Sequence, residues 1–196
     1  MRKLLVIALG AVTLVVGAFL IYVSLQPNAF EVERTITINA PAEQVFPRIN
    51  NLHNWSDWSP WRHLDPQMKE TYVGSESGKG AIYRWSGNEE AGAGQMTITD
   101  SEPFQRVVIL LEFTRPYESV CLVTFTLKPQ DDQTTVSWLM TGETNFLMKA
   151  MFLDMDAMVG PDFEKGLASL KANVEAETNA AIVPADAGAD RGTPAD

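Results

Sequence analysis

Only one cysteine, Cys121, occurs in 196 residues. That excludes an internal disulfide framework and any Cys-rich zinc or iron–sulfur centre, whatever compartment holds the chain. Basic residues are also scarce. Lys and Arg number 15 against 25 Asp and Glu, and two of the 15, Arg2 and Lys3, lie at the very start, so 13 bases face 25 acids in the remainder, a net of −12. Phosphate binding needs clustered cations, and their absence argues against a nucleic-acid partner. No G-x-S-x-G, P-loop or dinucleotide fingerprint occurs, which removes the best-marked hydrolase and nucleotide-binding classes. Nor is there an internal repeat at the periods that mark solenoids and propellers.

The chain does have one long apolar run. From Leu4 to Leu25 no residue is charged, and only Gly10, Thr13, Gly17, Tyr22 and Ser24 interrupt it. As a helix this run rises roughly 33 Å, the thickness of a bilayer hydrocarbon core. Arg2 and Lys3 precede it, whereas Glu31 and Glu33 come before the next base, Arg34. The positive-inside rule then puts the amino terminus in the cytoplasm and the rest in the periplasm or outside the cell. A cleaved signal peptide is the rival reading, but its apolar region is shorter and ends at small residues. Here Phe19 to Val23 continue past Ala18, the one small residue that would serve. Residues 1–29 are therefore expected to form an uncleaved single-pass anchor.

Residues 178–196 are rich in Ala, Asp, Gly and Pro and offer little to bury, so they read as a disordered tail. The folded unit is expected over residues 30–177. In it Phe30, Val32, Ile36 and Ile38 alternate as on a half-buried strand, and Pro41 opens a short helix with Val45, Phe46 and Ile49 inward. Six more strands are predicted over Met68–Val73, Ala81–Ser86, Gln95–Asp100, Arg106–Phe113, Val120–Leu127 and Thr134–Thr141, joined by short Gly- and Pro-containing turns. Strands so joined pair antiparallel. Towards the end the period changes. Phe163, Leu167, Leu170 and Val174 form one helical stripe, Met148, Met151, Met155 and Met158 mark a helical stretch before it, and Gly160-Pro161 should kink or separate the two.

The order of elements, with certain residues, resembles the SRPBCC helix-grip superfamily, which includes START domains, the Bet v 1 pollen allergen and bacterial polyketide cyclase/dehydrase-like proteins. The residues that carry the resemblance are Ile38-Asn39-Ala40-Pro41 with Val45-Phe46, the Trp55 to Trp61 segment, Gly80-Ala81-Ile82-Tyr83-Arg84-Trp85, and Asp162-Phe163-Glu164-Lys165-Gly166-Leu167 with Leu170-Lys171. It spans essentially all of residues 30–177. It implies an α+β fold, a curved antiparallel sheet of about seven strands around a long C-terminal helix, with an apolar cavity between them.

Strand alternation supplies candidate ligand-binding residues: Tyr83, Trp85, Met96, Ile98, Ile109, Leu111, Phe125, Trp138 and Met140, with Val123 and Val136 in the same phases. Met151, Met155 and Met158 stand opposite, and methionine adapts to ligands of variable outline. Trp55, Trp58 and Trp61 are expected in a loop capping the cavity, each indole needing an acceptor for its N–H. Trp55 to Ser59 also spells the W-S-x-W-S box of cytokine receptors, at a place in the fold that makes the match coincidental. Asn54-Trp55-Ser56 is a formal glycosylation sequon. The candidates for a general acid or base are His53, Asp57, His63, Asp65, Arg84 and Glu112. His53 and His63 with Asp57 and Asp65 make a metal site conceivable, but the two His lack an i, i+4 spacing and a third clear ligand. Arg84 and Glu112 lie on outward phases, where cross-strand pairing is their expected role.

Three functions remain: a membrane-anchored module that binds a hydrophobic small molecule or lipid, without cofactor or metal; a polyketide cyclase/dehydrase-like enzyme; or a protein-interaction module with a filled core. A dry apolar cavity favours the first, an ordered ionisable group inside it the second, and no cavity the third.

Overall fold

The computed structural model describes residues 1–151 and 153–182. Helix α1 (Arg2–Leu25) is apolar and exposed along nearly its whole length, long enough to cross a membrane by length and composition. Three residues, Gln26, Pro27 and Asn28, separate it from strand β1 (Ala29–Ile38). Then come α2 (Ala42–Asn50), two 3-10 turns (Leu52–Asp57 and Pro60–His63), and strands β2 (Lys69–Gly74), β3 (Ala81–Ser86), β4 (Ala93–Glu102), β5 (Arg106–Arg115), β6 (Ser119–Gln130) and β7 (Gln133–Glu143). Helices α3 (Phe146–Met151) and α4 (Met155–Ile182) close the order.

All seven strands form one antiparallel sheet in the order β1-β7-β6-β5-β4-β3-β2. The chain thus closes β1 onto the last strand, and α2 with the Trp-rich turns carries it to the opposite edge. Helix α4 lies across the inward face, where Phe163, Leu167, Leu170 and Val174 are buried against Val32, Ile38, Phe125, Val136 and Trp138. This is the α+β helix-grip architecture expected from the element order.

Two features of α4 differ from the sequence reading. It runs to Ile182, past the expected domain end at Glu177; residues 183–196 of the expected tail lie outside the described residues. Gly160-Pro161 does not divide it. The break falls upstream of Met155, where the Asp154 carboxylate accepts from Ala157 N–H at 3.0 Å and so caps the new helix. Pro161 sits within the first two turns, where it forfeits only its bond to the carbonyl of the exposed Ala157. Gly160 has a packing reason: a Cβ there would lie 2.0 Å from Nη2 of Arg34. Arg34 shares the inward phase of β1, and its guanidinium bridges Asp156 (2.7 Å) and Glu164 (2.7 Å), tying the first strand to the last helix. These bonds raise the Arg34 pKa and lower that of Asp156.

The Trp-rich turns have a local cause as well. The last turn of α2 leaves carbonyls without intrahelical partners. Trp58 Nε1 donates to Arg48 O (3.1 Å), Trp55 Nε1 to Ile49 O (2.9 Å) and Asn54 Nδ2 to Pro47 O (3.0 Å), which also accepts the Asn51 N–H (3.3 Å), so three successive carbonyls are capped by this one segment. The sequon asparagine and two of the W-S-x-W-S indoles therefore have a structural role.

Candidate functional site

The inward residues of each strand divide by height. At one end of the sheet they are closely packed. Ile98, Ile109, Phe125 and Val136 are fully buried there, in one cluster with Val45 and Ile49 of α2 and Leu167 and Leu170 of α4. At the other end the helix stands off, and a cavity of about 370 Å³ remains. Its walls include Tyr83, Trp85, Met96, Leu111, Val123, Trp138 and Met140 from the strands, Met155 and Met158 from α4, and Trp55 and Trp61 from the turns.

Six of the residues expected at the cavity are elsewhere. Ile98, Ile109, Phe125 and Val136 have the right face but the wrong height and belong to the packed end. Trp58 is buried behind the wall, with its N–H on Arg48 and its ring edge-on to Phe125 and Trp138. Met151 points outward from α3 and is 47% exposed. Conversely, Phe30, Tyr72, Phe113, Cys121 and Met148 lie on the wall. Phe30 and Tyr72 have the inward phase of their strands, a signal the sequence contains.

The cavity also has a polar corner. Glu70, on the inward phase of β2 opposite Trp85, accepts through Oε1 from the Tyr83 hydroxyl at 2.7 Å and pairs through Oε2 with Arg62 at 3.0 Å. Tyr83 lies between Tyr72 and Trp85, with ring centroids at 5.0 and 5.9 Å. Burial first, and then the bond to Glu70, push its hydroxyl well above the ordinary tyrosine range, so it remains a protonated donor. Burial likewise raises the Cys121 thiol, which keeps it an unreactive lining group. Ser56, Ser59, Glu90, Ser119 and Glu143 also reach the wall, and a further residue there with a polar group is Trp138. It is 1% exposed and stacked on Phe163 at 4.1 Å, and its indole N–H has no acceptor among the described residues. A buried orphan donor of this kind calls for a specific partner.

The other candidates do not converge. His53 is exposed and stacks on Tyr72 at 3.8 Å. The Asp65 carboxylate accepts from the backbone of Gln67 and Asn88, Asp57 accepts from Ser56, and His63 is exposed. Among the described residues no three His, Cys, Asp or Glu side chains gather as metal ligands. Arg84 and Glu112 both bond Gln95, which lies between them on β4, at 2.7 and 3.0 Å in a ladder across three strands, the cross-strand role expected of them.

A curved antiparallel sheet gripping a terminal helix over an apolar cavity defines a helix-grip protein. The chain belongs to the polyketide cyclase/dehydrase and lipid transport family, whose model matches residues 29–175. Among solved structures it is similar to the ZhuI aromatase/cyclase from Streptomyces sp. R1128, with 16% identity and a TM-score of 0.60, over 80% of this chain and 99% of that one. A protein from Nitrosospira multiformis matches with 24% identity and a TM-score of 0.55, over 76% and 99%. The Aha1 dimer from Colwellia psychrerythraea matches with 17% identity and a TM-score of 0.54, over 74% and 96%. At such identities the likeness is one of fold. No curated protein matches the sequence.

Proposed function

We propose that this protein is a membrane-anchored module that holds one hydrophobic small molecule or lipid in the cavity between sheet and α4, with α1 as the anchor and the domain on the far side of the membrane from the amino terminus. The observation that carries this reading is the cavity itself, about 370 Å³ with a wall made mostly of aromatic side chains and methionine. That size and composition match small-molecule sites, which are largely apolar with few polar anchors. The Tyr83–Glu70–Arg62 corner and the free Trp138 N–H are among the polar groups that could orient a ligand.

A second reading, a cyclase/dehydrase-like enzyme, draws support from Glu70, an ionisable group on the cavity wall. Against it, both Glu70 oxygens already carry a partner, Tyr83 and Arg62, so a base role would have to use a lone pair those contacts leave free.

Native mass spectrometry of the detergent-extracted protein tests the proposal. The parent should carry about one equivalent of an apolar molecule, and Met140→Trp or Met155→Trp should reduce that occupancy without unfolding, because a cavity accepts volume that a packed core rejects at roughly 1 to 3 kcal/mol. An empty parent, with both variants strongly destabilised, would favour the filled interaction module and overturn the binder. Loss of water from a bound polyketide-like compound in the parent, but not in Glu70→Gln, would favour the enzyme.

A further inference from the structure

Helix α3 is inside-out. Lys149, its one charged residue, is 8% exposed, whereas Phe146, Leu147 and Met151 are 46, 56 and 47% exposed, and Leu153 just beyond is 56% exposed. In water the reverse distribution is the rule. The Lys149 ammonium donates to Gln26 O at 3.0 Å and Asn28 Oδ1 at 2.9 Å, and Thr144 donates from N and Oγ1 to Asn28 O at 2.7 and 2.9 Å. These bonds hold α3 against the exit of α1, which it touches directly. The exposed side chains of α3 thus continue the apolar surface of α1, and Met148, between them, forms part of the cavity wall.

We propose that the outer face of α3, with Leu153, is a bilayer-docking surface that sits in the interface of the membrane crossed by α1. The occupant is lipid, because the patch is continuous with the apolar span and exposes no cation with which to meet an acidic partner. Its binding rests on apolar burial and needs no anionic headgroup. Docking puts the Met148 wall of the cavity at the lipid, so an apolar ligand can enter without crossing water. The proposal rests on the anchor reading above, and the test separates the two.

In a Cys121→Ala background, single cysteines Leu147→Cys, Met151→Cys, Val12→Cys and Leu122→Cys are each labelled with a nitrobenzoxadiazole dye. The full-length chain is placed in phosphatidylcholine nanodiscs with and without doxyl-labelled phosphatidylcholine. Positions 147 and 151 should emit to the blue and lose emission to doxyl lipid as position 12 does, while position 122, exposed on the outer face of β6, should do neither. Water-like, unquenched emission at 147 and 151 with position 12 quenched overturns the docking surface alone. Unquenched emission at all four positions overturns both the docking surface and the anchor. Quenching at 147 and 151 with position 12 unquenched keeps the docking surface and overturns the anchor. A blue shift at 147 and 151 without doxyl quenching assigns the patch to a second copy of the chain and overturns the bilayer.

Discussion

Gly160 and Gly166 lie six residues apart on α4 and look alike in sequence, yet they meet opposite neighbours. A Cβ on Gly166 would lie 2.9 Å from Cζ3 of Trp138 and 3.1 Å from Cδ of Pro60. Trp138 has little room to yield, because it is stacked on Phe163 and packed against Phe125. Overpacking of roughly 1 to 3 kcal/mol should outweigh the ~1 kcal/mol that alanine gains over glycine in a helix, so Gly166→Ala lowers stability. At Gly160 the obstacle is the end of a long arginine side chain, 24% exposed. Arg34 can swing away at the cost of solvent-screened surface ion pairs, which contribute little, so Gly160→Ala should be neutral or mildly stabilising. Urea denaturation of both variants checks the contrast; equal losses would show that Arg34 is as rigidly held as Trp138. In the sequence Gly160-Pro161 reads as a helix break because both residues have low propensity, and only the tertiary neighbour reveals the real reason for the glycine.

At the level of elements, all seven strands and the C-terminal stripe were legible, because alternation and helical period depend on which face is buried. Height along the strand was not. Ile98 and Met96 alternate in the same phase, yet one is packed and the other lines the cavity, because α2 and the middle of α4 fill one end of the sheet and leave the other open. The seam between β1 and α4 was equally hidden, since Arg34 looked like an interruption of an apolar pattern. That seam has a pH signature. Asp156 is held below its usual 3.8 by Arg34, and Glu175 below its usual 4.5 by Lys171 and the Asn39 backbone N–H. A depressed folded-state pKa contributes stability that is present above the unfolded value and lost as pH falls through the folded one. The parent should therefore lose more thermal stability on acidification from about pH 5 to about pH 3 than Arg34→Gln, which lacks the Asp156 contact. Parallel curves would remove the seam from the acid response.

At the scale of the molecule, the family followed from element order and a few short motifs, whereas a ligand depends on cavity volume and the polar corner, which no periodicity encodes. Glu70 illustrates this: its phase was readable, but its partners Arg62 and Tyr83 come from other elements. Orientation is testable directly. A cysteine at Val120, 56% exposed, should react with an impermeant maleimide on intact cells; reaction only after lysis would put the domain in the cytoplasm. The junction after α1 has a further consequence. Gln26, Pro27 and Asn28 are the whole connection, and fully extended they reach only about 10 Å. Lys149 and Thr144 already hold two of the three. With α1 in a bilayer, a domain on so short a leash cannot ferry cargo from one membrane to another. So anchored, it would be a fixed berth, and any ligand would have to arrive by lateral diffusion or be carried there by something else.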